Sequence, residues 1–423
     1  MAIIDPDFWR DRSVLLTGHT GFKGAWLALW LQALGARVTG LAPAPPTEPS
    51  LYALADVGRH MAGERAIDVR EESAVLEAVR ATRPEVVLHL AAQPMVRLSL
   101  REPALTFAVN VLGTVNVLEA VRLARETVGA VVVVTSDKCY ANPAGYGGRS
   151  QLPAGPSRAP LDRATGADPP GLVHRFVEDD RLGGHDPYSS SKACAELVTA
   201  AYRESFFGPL ADPDSRAPTR IASARAGNVI GGGDHGEDRL VPDILRAYDA
   251  GRPVRVRNPQ AIRPWQHVLS PLGGYLALAQ ALCRAESESG RESECDPGRE
   301  SRFGVGGQGQ GHGLADHGIA RAFNFGPRPR DARPVLEIVE RLDRLLDGTL
   351  GYELDEAANP PEASRLELDS SAAESRLGWR PGWDLDEALA RVAQWHKAHR
   401  RGEDMRAISL EQIAEYVDLQ DTL

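Results

Sequence analysis

The sequence predicts an α/β chain built on a doubly wound parallel sheet, and three observations carry that prediction. Short apolar runs alternate with longer helical patterns through the first 140 residues. The runs lack the two-residue alternation of half-exposed strands, which suggests burial on both faces. A glycine-spaced turn at 17–24 follows the first run and opens the first helical pattern. Strand–helix repetition of this kind implies helices covering both faces of one sheet.

The elements follow in order. Residues 13–17 (SVLLT) read as a buried strand, and 24–34 (GAWLALWLQAL) carry apolar side chains at helical spacing. A second strand is read at 37–41 (RVTGL), and two more at 85–90 (EVVLHL) and 130–135 (AVVVVT), with a helix at 110–124 between them. Past residue 228 the pattern becomes mixed, and its last helices include 335–346 and 386–400. Two stretches break the pattern. Residues 141–184 are rich in Gly, Pro, Arg and Asp, and 284–317 contain a near-repeat of RESE. Neither can bury enough apolar surface to offset ordering entropy, so both are expected to be mobile surface insertions. The first precedes a YSSSK segment, so an active-site lid is its rival reading.

Composition narrows the function. The chain has 423 residues and a formal net charge of −10. An acidic chain repels polyanions, so no nucleic-acid partner is expected, although a local site can still bind a small phosphorylated ligand. Cys139, Cys194, Cys283 and Cys295 form no CxxC pair, which suits neither a metal site nor a disulfide framework. Unpaired thiols fit a reducing compartment. No basic start precedes an apolar stretch, and no uninterrupted apolar run reaches the ~18 residues of a membrane span. The expectation is a cytoplasmic protein with no membrane partner.

Three motifs carry chemistry. In Thr17–Gly24 (TGHTGFKG), Gly18, Gly21 and Gly24 permit a tight turn, close approach to a pyrophosphate and close helix–strand packing. Free N–H groups and the helix dipole then favour the diphosphate, as in a Rossmann-type dinucleotide site. Tyr188 and Lys192 in YSSSK are four residues apart, on one helix face. An ammonium beside a phenol favours the phenolate, and such a Tyr can take a hydroxyl proton while hydride leaves the same carbon. Thr135, Ser136, Asp137 and Lys138 end the VVVV strand, where open α/β sheets bind ligands.

In this order the motifs resemble the extended short-chain dehydrogenase/reductases, the NAD-dependent epimerase/dehydratase group that acts on nucleotide-sugars. The segments TGHTGFKG, VLHLAAQPMVRLS, VTSDKCY, DPYSSSKACAELV, ARAGNVIGGGD and NPQAIRPWQHVLSPLGGYL together look like the CDP-glucose 4,6-dehydratases, over roughly 300 residues. The resemblance implies a hydro-lyase forming CDP-4-keto-6-deoxyglucose with internal hydride transfer. It implies a Rossmann-type cofactor domain over 1–227 and a smaller mixed substrate-binding region over 228–423. Tyr188, assisted by Lys192, would deprotonate the C4 hydroxyl, and Ser136 would hydrogen-bond the same oxygen. Asp137 would protonate the departing C6 hydroxyl. Lys138 would be either a neutral base at C5 or a cation stabilising the enolate.

The cofactor residues implied are Gly18, His19, Gly21, Phe22, Gly24, Asp68 at the adenine, Ala91, Ala92, Tyr188 and Lys192. The substrate residues are Gln93, Asn228 and Arg263, the last two for the diphosphate. His89 and His267 read as structural. The second strand ends VTGLAPAP, without the acid that binds a ribose 2′-hydroxyl. His19 and Lys23 are the nearby groups that could compensate. NAD is the expected cofactor, with NADP left open, and the partner is a small nucleotide-sugar. A homo-oligomer paired through the YSSSKACAELVTAAY helix is expected by analogy. His235 stands where the family pattern has Trp. The alternatives weighed are an epimerase or reductase of nucleotide-sugars, which would not need the Asp137–Lys138 pair, and a silent NAD-binding regulator.

Overall fold

The computed structural model describes residues 3–142, 174–207, 219–292, 318–355 and 365–422. The central sheet has seven parallel strands: β1 (Ser13–Thr17), β2 (Arg37–Leu41), β3 (Gly63–Arg65), β4 (Val86–His89), β5 (Ala130–Val134), β6 (Arg220–Arg225) and β11 (Ala322–Asn324). Their spatial order is β11-β6-β5-β4-β1-β2-β3. The order reverses between β1 and β4, and a crevice opens there beyond the carboxyl ends of the strands.

The missing alternation now has its cause. Along β5, Ala130, Val132 and Val134 face one buried cluster, with Trp26, Trp30 and Tyr275. Val131 and Val133 face another, with Val75, Val79, Val117 and Val121. Both faces are covered, so every position must be apolar. The helix Phe22–Ala33 follows the same logic, with both Trp26 and Trp30 fully buried.

β1 and β2 fall on the expected residues, while β4 and β5 are shorter than expected at their ends. The helix expected at 110–124 is regular only over Gly113–Leu123, after a wider turn at Ala108–Leu112. Among the described residues, Pro103–Leu123 is the one segment long and apolar enough to cross a membrane. Half of it is buried in the fold, against the helices Glu72–Thr82 and Pro187–Phe206.

Three two-stranded ribbons lie outside the sheet. β7 (Val229–Ile230) pairs with β10 (Gln266–His267), β8 (Val254–Val256) with β13 (Tyr352–Leu354), and β9 (Ile262–Pro264) with β12 (Ala332–Pro334). A separate core, with Ile244, Trp265, Ile338, Leu342 and Leu389, joins this region. Its helices include Val335–Leu345 and Leu385–Arg400.

The bounds of both expected insertions need correction. Residues 174–184 are packed: Phe176 is buried and stacks on Tyr140 at 4.8 Å, and Leu182 bridges to Tyr140. The helix Leu269–Glu292 runs past residue 284. The rest of the two insertions, 143–173 and 293–317, lies outside the described residues, as does Cys295.

Candidate active site

The glycine turn is shaped by contacts that no side chain could share. Gly18 has φ +75°, and a Cβ on it would lie 2.8 Å from the Ala91 nitrogen. A Cβ on Gly24 would overlap the Gly18 carbonyl. The turn therefore packs directly against the Leu90–Ala92 backbone, where Thr17 Oγ1 accepts from the Leu90 and Ala91 N–H groups, each at 3.1 Å. Gly21 caps the helix Phe22–Ala33 with no side-chain hydrogen bond, so the first N–H groups stay available to an anion. This cradle fits a dinucleotide diphosphate.

His19 is buried beside β2, and a side chain at Gly40 would overlap its ring. Its Nε2 lies 2.8 Å from Glu64 Oε1, which also accepts from Tyr52 Oη at 2.6 Å. Burial lowers the His19 pKa despite this carboxylate. Lys23 turns the other way. Its ammonium donates to Tyr275 Oη at 3.4 Å and lies within electrostatic reach of Lys192, Asp137 and Arg239. It faces the sheet's catalytic end, which corrects its expected place at the adenosine ribose. Burial, then Lys192, pushes its pKa down to about 7. Asp68 is half-buried and forms a forked pair with Arg70, which lowers its pKa.

The polar end of β5 meets the helix Pro187–Phe206. Asp186 caps that helix by accepting from Ser189 N–H at 2.9 Å. Tyr188 is buried, with Ser136 near enough to its phenol to hold its pKa down against burial. Ser136 Oγ donates to Asp137 Oδ1 at 2.9 Å. Asp137 is buried, and its Oδ2 has no partner among the described residues. It fits only because Gly227 has no side chain, since a Cβ there would overlap the carboxylate. Lys138 is half-buried at the mouth. Lys192 donates to Val134 O at 3.2 Å, and burial lowers its pKa to about 8.

The expected effect of Lys192 on Tyr188 is corrected here. In the protein alone the Tyr188 phenol is pushed up to about 12, by burial first and then by Asp137. Ser136 and Arg239 oppose this, whereas Lys192 points at the β5 carbonyl.

Gln93 is hydrogen-bonded within the chain. Its amide donates to Met95 O at 3.1 Å and Thr106 Oγ1 at 2.8 Å, and its oxygen accepts from Met95 N–H at 2.5 Å. These bonds tie the Gln93 side chain to the loop after β4 and to the helix Pro103–Phe107. Asn228 has φ +35° and accepts from Gln266 N–H through its backbone. Arg263 is buried on β9, opposite Arg333 of β12. His89 bridges Thr17 and Thr114, and His267 packs between Trp26 and Trp383. Burial lowers both to about 3, so both are neutral framework residues. His235 is half-buried, with its ring 6.2 Å from that of His399.

Four residues at this centre escape motif reading: Lys23 as a neighbour of Asp137, Tyr275, Glu196 and Arg239. Only Glu196 has a local signal, because Tyr188, Lys192 and Glu196 recur every four residues. Tyr275 arrives from a helix some 90 residues downstream of Tyr188, and nothing local announces it.

A protein-family model described as "NAD dependent epimerase/dehydratase family" matches residues 14–286. The chain is 41% identical over 415 residues to the CDP-glucose 4,6-dehydratase of Salmonella typhimurium, covering 98% of this chain and 99% of that protein. It is 23% identical to a dTDP-glucose 4,6-dehydratase of Xanthomonas campestris, over 90% of this chain and 92% of that one. Among solved structures, a dTDP-glucose 4,6-dehydratase from Streptomyces venezuelae with NAD bound superposes with TM-score 0.64 at 19% identity, covering 93% of this chain and 99% of that chain. A UDP-glucose 4-epimerase from Thermotoga maritima superposes with TM-score 0.66 at 18% identity, covering 92% and 99%.

Proposed function

The chain belongs to the NAD dependent epimerase/dehydratase family, and from that premise we propose that it dehydrates CDP-glucose to CDP-4-keto-6-deoxyglucose, as a hydro-lyase. The observation that carries the reaction type is Asp137: a buried carboxyl group whose Oδ2 has no partner among the described residues, beside Ser136 and Tyr188. An epimerase or reductase needs the Ser–Tyr pair but has no use for an acid there.

Each residue has one task. Tyr188 takes the proton of the C4 hydroxyl while Ser136 holds that oxygen. Asp137 protonates the C6 hydroxyl as it leaves. Lys138 serves C5, as a neutral base or as the cation beside the enolate. When bound, NAD supplies the acceptor for the C4 hydride and its later donor to C6, with a ring charge that favours the Tyr188 phenolate. Gly18, His19, Gly21, Phe22 and Gly24 would hold its diphosphate side, Ala91 and Ala92 would flank it, Asp68 would serve the adenine, and Lys192 would hold the ribose beside Tyr188. Glu64, held by His19 and Tyr52, supplies the negative charge missing from the end of β2 and disfavours a 2′-phosphate.

Asn228 and Arg263 bind the substrate diphosphate, where a forked guanidinium suits phosphate oxygens. They belong to the smaller region past residue 228, which binds the nucleotide-sugar. The chain assembles as a homo-oligomer. Leu100, Phe107, Leu112, Leu123, Leu197 and Phe206 are exposed on the helices around Pro187–Phe206, an apolar surface suited to a second copy. Light scattering is expected to give a multiple of the chain mass, and a monomer at micromolar concentration would end that reading.

The deciding experiment offers CDP-, UDP- and dTDP-glucose separately, each with NAD. A 4-keto-6-deoxy product, read by mass, is expected fastest from CDP-glucose. Loss of water from none of the three would refute the dehydratase. Preference for another nucleotide would keep the reaction and overturn the cytidine assignment.

A further inference from the structure

Behind the catalytic face lies a buried ion pair that the proposed mechanism does not use. Glu196 sits one helical turn beyond Lys192, and Lys192 one turn beyond Tyr188, so the three form one stripe on the helix. The Glu196 side chain is 3% exposed and its partner Arg225, at the end of β6, is 4% exposed. Arg225 Nη2 donates to Glu196 Oε2 at 2.8 Å, and Ser223 Oγ donates to the same oxygen at 2.6 Å. Thr135 Oγ1 donates to the other oxygen, Oε1. Thr135 immediately precedes Ser136 and Asp137. One carboxylate therefore links the catalytic helix, the end of β6 and the turn that carries the acid.

Two ions deep in a protein carry a large desolvation cost, and packing alone is served as well by apolar side chains. The retained charge points to a task besides packing. Arg225 is anchored on its far side, donating to Tyr140 Oη and to Glu178 O, both at 2.8 Å. Tyr140 in turn donates to Asn324 of β11 at 2.7 Å. The carboxylate thus has a fixed base and fixed neighbours.

We propose that Glu196 is a positioning residue of the active centre: its carboxylate keeps Lys192 in the ammonium form and ties the Thr135–Lys138 turn to the Tyr188 helix. The surroundings of Lys192 support this. Lys23 on the glycine-turn helix repels its charge, and buried His89 on β4 is neutral. Glu196 is the main group favouring the charge, since burial keeps the Cys139 thiol protonated and neutral. Around Glu196 itself stand Arg225 on β6, Arg203 on its own helix and Cys139 after β5. Burial works against ionising Glu196, but Arg225 and the Ser223 and Thr135 donors hold it below the ordinary carboxylate range. Lys192 then loses its proton near pH 8 with Glu196 in place, and at lower pH without it.

The inference rests on the reading of Tyr188 and Lys192 as the working pair. The test is the pH profile of kcat for CDP-glucose dehydration in wild type, Glu196→Gln and Glu196→Asp. Glu196→Gln removes the charge and keeps the side-chain length with one acceptor oxygen, enough for the Ser223 side or the Thr135 side of the carboxylate but not both. Its alkaline limb is expected to move down by about one unit or more, because an opposite charge close by is worth one to three. KM is expected to stay within about twofold while kcat near pH 8 falls about fivefold, since a group half protonated at its pKa falls to roughly a tenth protonated when that pKa drops by one unit. Glu196→Asp is expected to restore the wild-type limb. A folded Glu196→Gln with an unmoved limb overturns the proposal. If that variant does not fold, Glu196→Gln combined with Arg225→Met removes both charges, and a smaller downward move is expected, because the lost Arg225 cation had opposed the Lys192 charge. An unmoved limb there, or failure of both variants to fold, makes Glu196 a folding residue only and also overturns it. A wild-type enzyme that forms no product from CDP-glucose would overturn the functional reading beneath it.

Discussion

The two halves of the central sheet open onto the same crevice but are built differently. At β1 and β2 the chain offers shape. Gly18 and Gly24 clear a path for backbone, the helix start carries no side-chain cap, and the strand end carries no charge. At β5 and β6 the chain offers buried charge. Lys192, Glu196 and Arg225 lie below a tenth exposed, held by hydrogen bonds from β5, β6 and the Thr135 turn. A diphosphate brings its own charge, so its half needs only N–H groups and space. Moving protons between carbon-bound oxygens needs groups whose protonation is set in advance, so the other half carries the desolvation cost.

Three experiments break or sharpen this contrast. The largest effect is expected in the charged half. Tyr188→Phe removes the proton acceptor and should lower kcat by about 10²–10⁴-fold, the usual range for one acid–base group. Its melting temperature should stay close to wild type, because the ring packing is kept. Turnover near wild type would remove Tyr188 from the chemistry.

The next effect lies in the shaped half. Gly24→Ala puts a methyl onto the Gly18 carbonyl, which must move. Overpacking of this kind costs about 1–3 kcal/mol. The loss should be expressed as weaker NAD binding in calorimetry, with kcat at saturating NAD changed far less. Unchanged NAD affinity would mean that the tight turn is not what holds the dinucleotide.

The smallest effect concerns the framework between the halves. His89 titrates near 3 in the folded chain against 6.5 in an exposed one, because burial opposes its charge. A depressed folded pKa contributes stability above pH 6.5, which is lost as pH falls towards 3. At pH 5 the loss amounts to about 2 kcal/mol. His89→Gln should therefore flatten the decline in melting temperature between pH 6.5 and 5. An equally steep decline in that variant would show that His89 is not the residue responsible.

How legible each feature was follows from sequence distance. β1 and β2 could be read to the residue, because in each a short apolar run stops at a sharp local boundary: β1 runs into the glycine turn at Gly18, and β2 follows the turn at Gly35. β3 and β11 are three residues each, too short to carry a pattern, and were not foreseen. The partners of Gln93 were missed for a related reason. Its place after β4 suggests the pocket, but Thr106, thirteen residues on, claims its amide. Tyr275 could not be found at all, since its neighbours Lys23 and Tyr188 belong to other elements.

The sequence by itself determined the buried strands of the sheet's first half, the glycine cradle, the Tyr188–Lys192 stripe and the Ser136–Asp137 turn, because each is a local pattern within about eight residues. Only the tertiary structure decided the state of those groups. Burial raises the Tyr188 phenol to about 12, lowers Lys23 to about 7 and Lys192 to about 8, and leaves Asp137 with one oxygen unpartnered among the described residues, in the space conceded by Gly227. Residue type is written along the chain. Desolvation and the field of neighbouring charges depend on what folds against it, so the protonation on which the doubly wound site depends exists only in three dimensions.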